Sequence, residues 1–342
     1  MRVLLVRVAM AMLVTFASLA VAVEKELPAY NVDLQQTSVS GFSSGGFVAT
    51  QFHVAFSSTI SGVGVIAGGP YYCTQGHWFA LWFYLGQCTN PSFWASKPRA
   101  AKLVAHARRF ARRQQIDDLD HLRDDKVYIF SGTEDKSVRQ SVVAQTKSFY
   151  ELAGVPIENI QYVERIHAGH AMITAGYGSA CEKTTSPFIN NCDYDQAGAI
   201  LRHIYGKLNP RHRSPMGSGE IIEFSQATFI RNPKSHSLSE KGYAYVPKSC
   251  SEGGLCRVHV VFHGCQQTTS MLGDLFYMHA GYNEWAAMNN IIVLYPQLVP
   301  ARWTNPNGCW DWWGYDSADY YNKAGPQMVA VMAMIKHLAG RS

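Results

Sequence analysis

The segment Gly41-Phe42-Ser43-Ser44-Gly45-Gly46 carries the pattern Gly-x-Ser-x-Gly. It follows a strand-like run, Thr37 to Phe42, and precedes an apolar, helix-compatible run, Phe47 to Phe56. A strand that turns abruptly into a helix needs small residues on either side of the serine. Such a turn lifts the hydroxyl clear of the sheet at the helix N-terminus. Ser43 is therefore the expected nucleophile of a covalent mechanism.

A serine hydroxyl needs a base, and the base needs an orienting carboxylate. After a nucleophile turn of this kind the expected chain order is Ser, then Asp or Glu, then His, each on a loop just past a strand. The run Lys126 to Phe130 leads into Ser131-Gly132-Thr133-Glu134-Asp135, and Ile160 to Ile166 leads into His167-Ala168-Gly169-His170. Asp135 is the expected carboxylate, with Glu134 its near rival. His170 is the expected base, preferred to His167, which follows its strand too closely. Asp193 and Asp195 precede a helical stretch and read as N-terminal caps.

An oxyanion hole needs two backbone N–H groups. Ser44, next after the nucleophile, would supply one. The other is expected from a loop opened by His-Gly, and Arg257 to Phe262 followed by His263-Gly264-Cys265-Gln266 has that form. It lies after the triad in sequence. Either the turn is irrelevant, or the segment order is rotated and this strand still neighbours the nucleophile strand. Rotation requires the chain ends to lie close together, with the helix Gln327 to Leu338 packed beside the strand Thr37 to Phe42. His53, His77, His259 and His263 read as structural. Trp303, Trp310, Trp312, Trp313 and Tyr315 crowd around Cys309. That cluster reads in part as core, with at least one ring as an apolar wall at the site's mouth.

The elements that must position these groups follow from hydrophobic pattern. Unalternating apolar runs (Thr37 to Phe42, Ile60 to Ile66, Lys126 to Phe130, Ile160 to Ile166, Val258 to Phe262, Ile291 to Tyr295) suit a parallel sheet covered on both faces. Helical patterns lie between them: Ala100 to Gln114, Gln140 to Leu152, Tyr194 to Tyr205, His279 to Met288 and Gln327 to Leu338. Strands alternating with helices indicate an α/β fold. No repeat or low-complexity hinge divides the chain, so 23–342 reads as one domain.

The chain has 342 residues, 47% of them hydrophobic and 16% charged, with a formal net charge of +5. This excludes a disordered chain. No basic stripe with interleaved aromatics argues for nucleic acid. The basic stretch with Lys102, Arg108, Arg109, Arg112 and Arg113 reads as a solvated face, paired in part with Asp117, Asp118 and Asp120. Residues 1–22 carry Arg2 and Arg7, an apolar run Val8 to Leu19, and Ala20-Val21-Ala22. That is the pattern of a cleavable secretory signal, too short for a membrane span. The expected location is secreted or periplasmic, with no integral membrane segment after cleavage. In an oxidising compartment the eight cysteines are expected in disulfides, for which sequence allows 105 connectivities. Sequence proximity favours Cys73–Cys88, Cys181–Cys192 and Cys250–Cys256, leaving Cys265–Cys309. No CxxC spacing supports a metal site.

The motifs GFSSGG, SGTEDKSV, HAGHAMIT, VVFHGCQQ, YNEWAAMNNIIVLYPQ and NPNGCWDWWGY together resemble the secreted poly(3-hydroxybutyrate) depolymerases of the circularly permuted, single-domain type. The resemblance spans nearly all of the chain after the leader. It implies an α/β-hydrolase fold and a serine esterase acting on a polyester polymer or hydroxyalkanoate oligomer, without metal or organic cofactor. It implies Ser43 as nucleophile, Asp135 as carboxylate, His170 as base, Ser44 and Cys265 as oxyanion amides, and Trp310 as an aromatic wall of the polymer crevice. The absence of a linker and a separate binding domain implies adsorption through the catalytic domain itself. The rival functions are a feruloyl or acetyl-xylan esterase and a non-catalytic secreted polymer-binding protein.

Overall fold

The computed structural model describes residues 26–76, 81–92, 96–214 and 216–341. The leader 1–22 and His77 lie outside the described residues. Eight strands form one sheet: β1 (Val32–Phe42), β2 (Ile60–Ile66), β3 (Lys126–Phe130), β4 (Ile160–Val163), β8 (Gly219–Ser225), β9 (Lys241–Pro247), β10 (Cys256–Phe262) and β11 (Ile291–Tyr295). A second, small sheet holds β5 (Met172–Thr174), β6 (Ser179–Ala180) and β7 (Ile189–Asn191). The large sheet runs β4-β3-β2-β1-β10-β11-β9-β8. Its first six strands in that order pair parallel, and β9 and β8 close the edge antiparallel.

Every parallel strand expected from its apolar run is present. Three boundaries shift, that of β10 by only two residues, to Cys256. β1 starts five residues earlier, through Asp33 and Gln35, with a register irregularity between Val32 and Thr37 against β10. β4 stops at Val163, because the chain then turns so that Ile166 O accepts from Thr133 and Ala168. The antiparallel pair β8–β9 was not anticipated. The β-prone run Tyr243 to Val246, bounded by Gly242 and Pro247, was the available signal.

Helices cover both faces of the sheet, which separates two apolar clusters. One face carries Ser44–Ala55, Ala100–Arg112, Gln140–Ala153 and Pro326–Leu338, and the other Gln196–Tyr205 and Asn283–Asn289. All twelve residues of Ser44–Ala55 are buried, so this helix is a central core element. Asp195 caps Gln196–Tyr205 by accepting from the Gly198 amide at 3.0 Å. Asp193 is no cap; it occupies a left-handed turn at φ 51°. The expected helix His279 to Met288 is broken into Leu275–His279 and Asn283–Asn289, with Gly281 at φ 88° between them. Asp117 pairs with Lys323, Asp120 with Arg123, and Asp118 caps a short turn. None of the three aspartates therefore pairs with the basic helix in the hydrogen bonds and ion pairs described.

The rotated segment order is realised. β1 lies between β2 and β10, with Gly41 opposite Phe262. The chain ends meet, as rotation requires: Tyr30 donates its amide to Leu338 O, and His337 Nε2 lies on Leu27 O, both at 2.7 Å. The helix Pro326–Leu338 packs against β1. Four disulfides join Cys73–Cys88, Cys181–Cys192, Cys250–Cys256 and Cys265–Cys309, the pairing expected from proximity.

Candidate active site

The turn after β1 is built by close approach. A β-carbon on Gly41 would lie 2.2 Å from Gly45 O, and one on Gly45 would lie 2.2 Å from Phe262 O. Only glycine fits at either position. Between them Ser43 holds φ 56° and ψ −119°, a strained conformation for a residue with a side chain. The surrounding backbone enforces it: Ser43 donates its amide to Ile66 O at 2.9 Å, and Phe47 donates to Ser43 O at 3.0 Å.

His170 Nε2 lies 2.8 Å from Ser43 Oγ, and His170 Nδ1 lies 2.7 Å from Asp135 Oδ2. The carboxylate can only accept, so Nδ1 carries the proton and Nε2 is left to accept from the serine hydroxyl. Asp135 is itself held, its Oδ1 accepting from the Ser137 and Val138 amides at 2.8 and 2.9 Å. The His170 amide donates to Thr184 Oγ1 at 2.9 Å, and the Phe42 ring sits 4.7 Å from the imidazole. Both His170 and Asp135 are buried. The rivals lie apart: Glu134 and His167 face each other at 3.4 Å on the surface.

The loop after β10 lies directly on the serine helix, since a β-carbon on Gly45 would also lie 2.5 Å from His263 O. As a first-turn residue, Ser44 has no intrahelical acceptor for its amide. Cys265 is bridged to Cys309, and the next amide, Trp310, donates to Ser44 Oγ at 3.4 Å. Ser43, Ser44, Asp135, His170 and the Cys265 loop thus converge at the C-terminal ends of neighbouring parallel strands.

Trp310 does not form an accessible wall. Its ring is 0% exposed and packs edge-on against Phe262 at 4.9 Å. It presents no surface to a substrate, because the chain turns it under the loop 263–265 and into the core. Trp312 is also buried, stacked on Phe47 at 4.0 Å. Trp313 is half-buried against Tyr315, and Trp303, at the tip of the hairpin between Ala301 and Asn305, is 85% exposed.

The sequence reading missed Asp311. Its carboxylate is buried and accepts four backbone N–H bonds, from Gly314, Tyr315, Asp316 and Ser317. Burial pushes the group up to about 6, against the pull of those four amides. The only sequence signal was an aspartate among tryptophans followed by glycine. Of the histidines read as structural, the three among the described residues, His53, His259 and His263, are buried. His53 is buried between Tyr150 and Asp125, and His259 between Ser38 and Ser40. Burial holds His259 down to about 3 and His263 to about 4, so both are neutral.

A permuted, mostly parallel sheet with a serine turn at its centre defines the α/β-hydrolase class. No family model matches the chain. It is 44% identical over 316 residues to a poly(3-hydroxybutyrate) depolymerase of Delftia acidovorans, covering 92% of this chain and 61% of that protein. It is 37% identical over 328 residues to a polyhydroxybutyrate depolymerase of Talaromyces funiculosus, covering 91% of this chain and 92% of that one. The crystal structure of the PHB depolymerase from Penicillium funiculosum superposes with a TM-score of 0.83 at 35% identity, covering 92% of this chain and 99% of that one. A serine-to-alanine variant of a PHB depolymerase complexed with an R3HB trimer superposes with a TM-score of 0.84 at 34% identity, with the same coverage. The chain belongs to the poly(3-hydroxybutyrate) depolymerase family. It spans 61% of the length of its Delftia relative.

Proposed function

We propose that the protein is an exported serine esterase that hydrolyses the ester bonds of poly(3-hydroxybutyrate) or its oligomers. The observation that carries this reading is the continuous chain from Ser43 Oγ through His170 to Asp135, with links of 2.8 and 2.7 Å. Ser43 Oγ attacks the ester carbonyl carbon as its proton passes to His170 Nε2, and Asp135 stabilises the imidazolium. The amides of Ser44 and Cys265 receive the oxyanion; one such donor is worth about 3–4 kcal/mol in the transition state. Collapse expels the hydroxyl end of the leaving chain, which takes the proton from His170. Water, deprotonated by His170, then attacks the acyl-serine and releases a carboxylate end and free Ser43.

Substrate recognition comes from the family, one member of which has been solved with an R3HB trimer. With Trp310 buried, contact with an apolar chain falls to rings that reach solvent, Trp313 and Trp303 among them. Export is supported by the leader pattern of 1–22 and by four disulfides. No helix of the described residues is long and apolar enough to cross a membrane. Residues 23–342 act as one catalytic domain.

The test is product analysis after incubation with amorphous polymer, beside a Ser43→Ala variant. Wild type should release 3-hydroxybutyrate or its oligomers, and Ser43→Ala should release none while keeping its thermal midpoint. Equal release by both proteins would refute the mechanism. Release of ferulate or acetate from xylan, with the polymer untouched, would refute the substrate.

A further inference from the structure

Gln267 follows the oxyanion loop by two residues and is 1% exposed. Its side-chain oxygen accepts from the Gly264 amide at 2.7 Å. Its side-chain nitrogen donates to Pro187 O at 2.9 Å and Phe188 O at 3.1 Å. The amide orientation is forced, since one end faces an N–H and the other faces two carbonyls. A single buried side chain therefore ties two segments that are distant in sequence.

Both segments bear on Ser43. Gly264 immediately precedes Cys265. Phe188 O also accepts from the Met172 amide at 2.9 Å, two residues beyond His170, and Ile189 pairs with Met172 between β7 and β5. On the oxyanion side, Gly264 O is held by His263 Nδ1 at 2.7 Å and by the Gln267 amide at 3.3 Å. His263 serves this bond as a neutral ring: its Nδ1–H donates, and its Nε2 accepts from the Leu298 amide at 3.3 Å. In a trans peptide the carbonyl and the following N–H point opposite ways. Anchoring Gly264 O thus fixes the direction of the Cys265 N–H, away from His263 and Gln267. An oxyanion donor works only when it is aimed before charge develops.

We infer that Gln267 is a positioning residue, holding the Cys265 amide and the His170 loop in one register about Ser43. The inference rests on the esterase reading. A packing role alone would lower stability. A positioning role also lowers affinity for a tetrahedral adduct while leaving ground-state binding in place.

The experiment compares wild type, Gln267→Met and Gln267→Glu on a soluble nitrophenyl butyrate, with an aliphatic trifluoromethyl ketone as the tetrahedral-adduct probe. Gln267→Met should lose about 10- to 100-fold in kcat, a fraction of what deleting a donor costs. Its KM should stay within about threefold and its ketone affinity should fall in step with kcat. Gln267→Glu keeps the acceptor for Gly264 but donates to the two carbonyls only when protonated. Its activity relative to wild type should therefore rise as pH falls, and it serves if Gln267→Met does not fold. Unchanged kcat and ketone affinity in Gln267→Met would overturn the inference, as would a Gln267→Glu to wild-type ratio that does not vary with pH. A wild type that cleaves no ester sinks the esterase reading instead. Hydrogen exchange at the Gly264 and Met172 amides then decides the clamp: faster exchange in the variants sustains it, and unchanged exchange overturns it.

Discussion

Gly45 and Phe262 meet backbone to backbone, with 2.2 Å between Phe262 O and the place a β-carbon on Gly45 would take. The contact locks the serine helix onto the strand that leads to the proposed oxyanion loop. It joins an early segment of the chain to a late one, and so secures the permuted order at the point where chemistry is placed. Backbone cannot yield as the end of a flexible side chain can. Gly45→Ala should therefore separate β10 from the serine helix. We expect activity on a soluble ester to fall at least 100-fold, with a loss of roughly 1–3 kcal/mol in urea unfolding, the usual cost of overpacking. Near-normal turnover would mean that the two backbones can part without disturbing Ser43.

Asp135→Asn should keep the fold, since an amide replaces the carboxylate atom for atom. It can present an N–H to His170 Nδ1 and so favour the wrong tautomer. In a serine triad that change costs about 10⁴ in kcat. Steady-state kinetics beside circular dichroism checks it. Glu134→Gln, at the surface pair with His167, should leave kcat within about twofold, and a large loss there would exchange the two roles.

The Cys265–Cys309 bridge closes a sequence separation of 44 residues, the longest of the four. Loop-closure entropy for that separation corresponds to about 4 kcal/mol as an upper figure. Replacing both cysteines by serine should lower stability by about 2–4 kcal/mol. It should also lower kcat more than KM, because Cys265 bears a proposed oxyanion amide. The double serine variant of Cys250 and Cys256, whose separation is 6, should keep its kcat. Equal effects on kcat would detach the long bridge from the site.

Buried His259 predicts an acid-dependent stability. Burial holds it down to about 3, against an ordinary value near 6.5. As pH falls below 6.5 the unfolded chain takes up a proton that the folded chain refuses. Stability is thus full above 6.5 and declines toward 3, by up to about 1.4 kcal/mol per pH unit. Asp311, held up to about 6, acts in the opposite sense between its unfolded value of 3.8 and 6, so total stability falls less steeply. The difference between wild type and His259→Gln isolates the histidine. Urea unfolding at pH 7 and pH 5 should show the wild-type advantage shrinking as pH falls, and a constant difference would contradict a neutral buried imidazole.

What could be read from the chain alone was what depends on near neighbours in sequence. Six residues around Ser43 dictate a turn that only glycines allow, and apolar runs dictate strands. Short loops after two of those strands present Asp135 and His170 in the required order. Even the neighbourhood of β1 and β10 could be expected, because a rotated set of segments must bring the chain ends together. The tertiary structure decided the rest, because burial depends on which surfaces meet. Trp310 looks like a site aromatic in sequence, yet the loop that carries it turns its ring beneath Phe262. Asp311 and Gln267 look like ordinary polar residues; their importance comes from amides and carbonyls that only folding brings around them. The edge pair β8–β9 was obscured because an antiparallel strand at a sheet's margin has a weaker apolar signature than a strand covered on both faces.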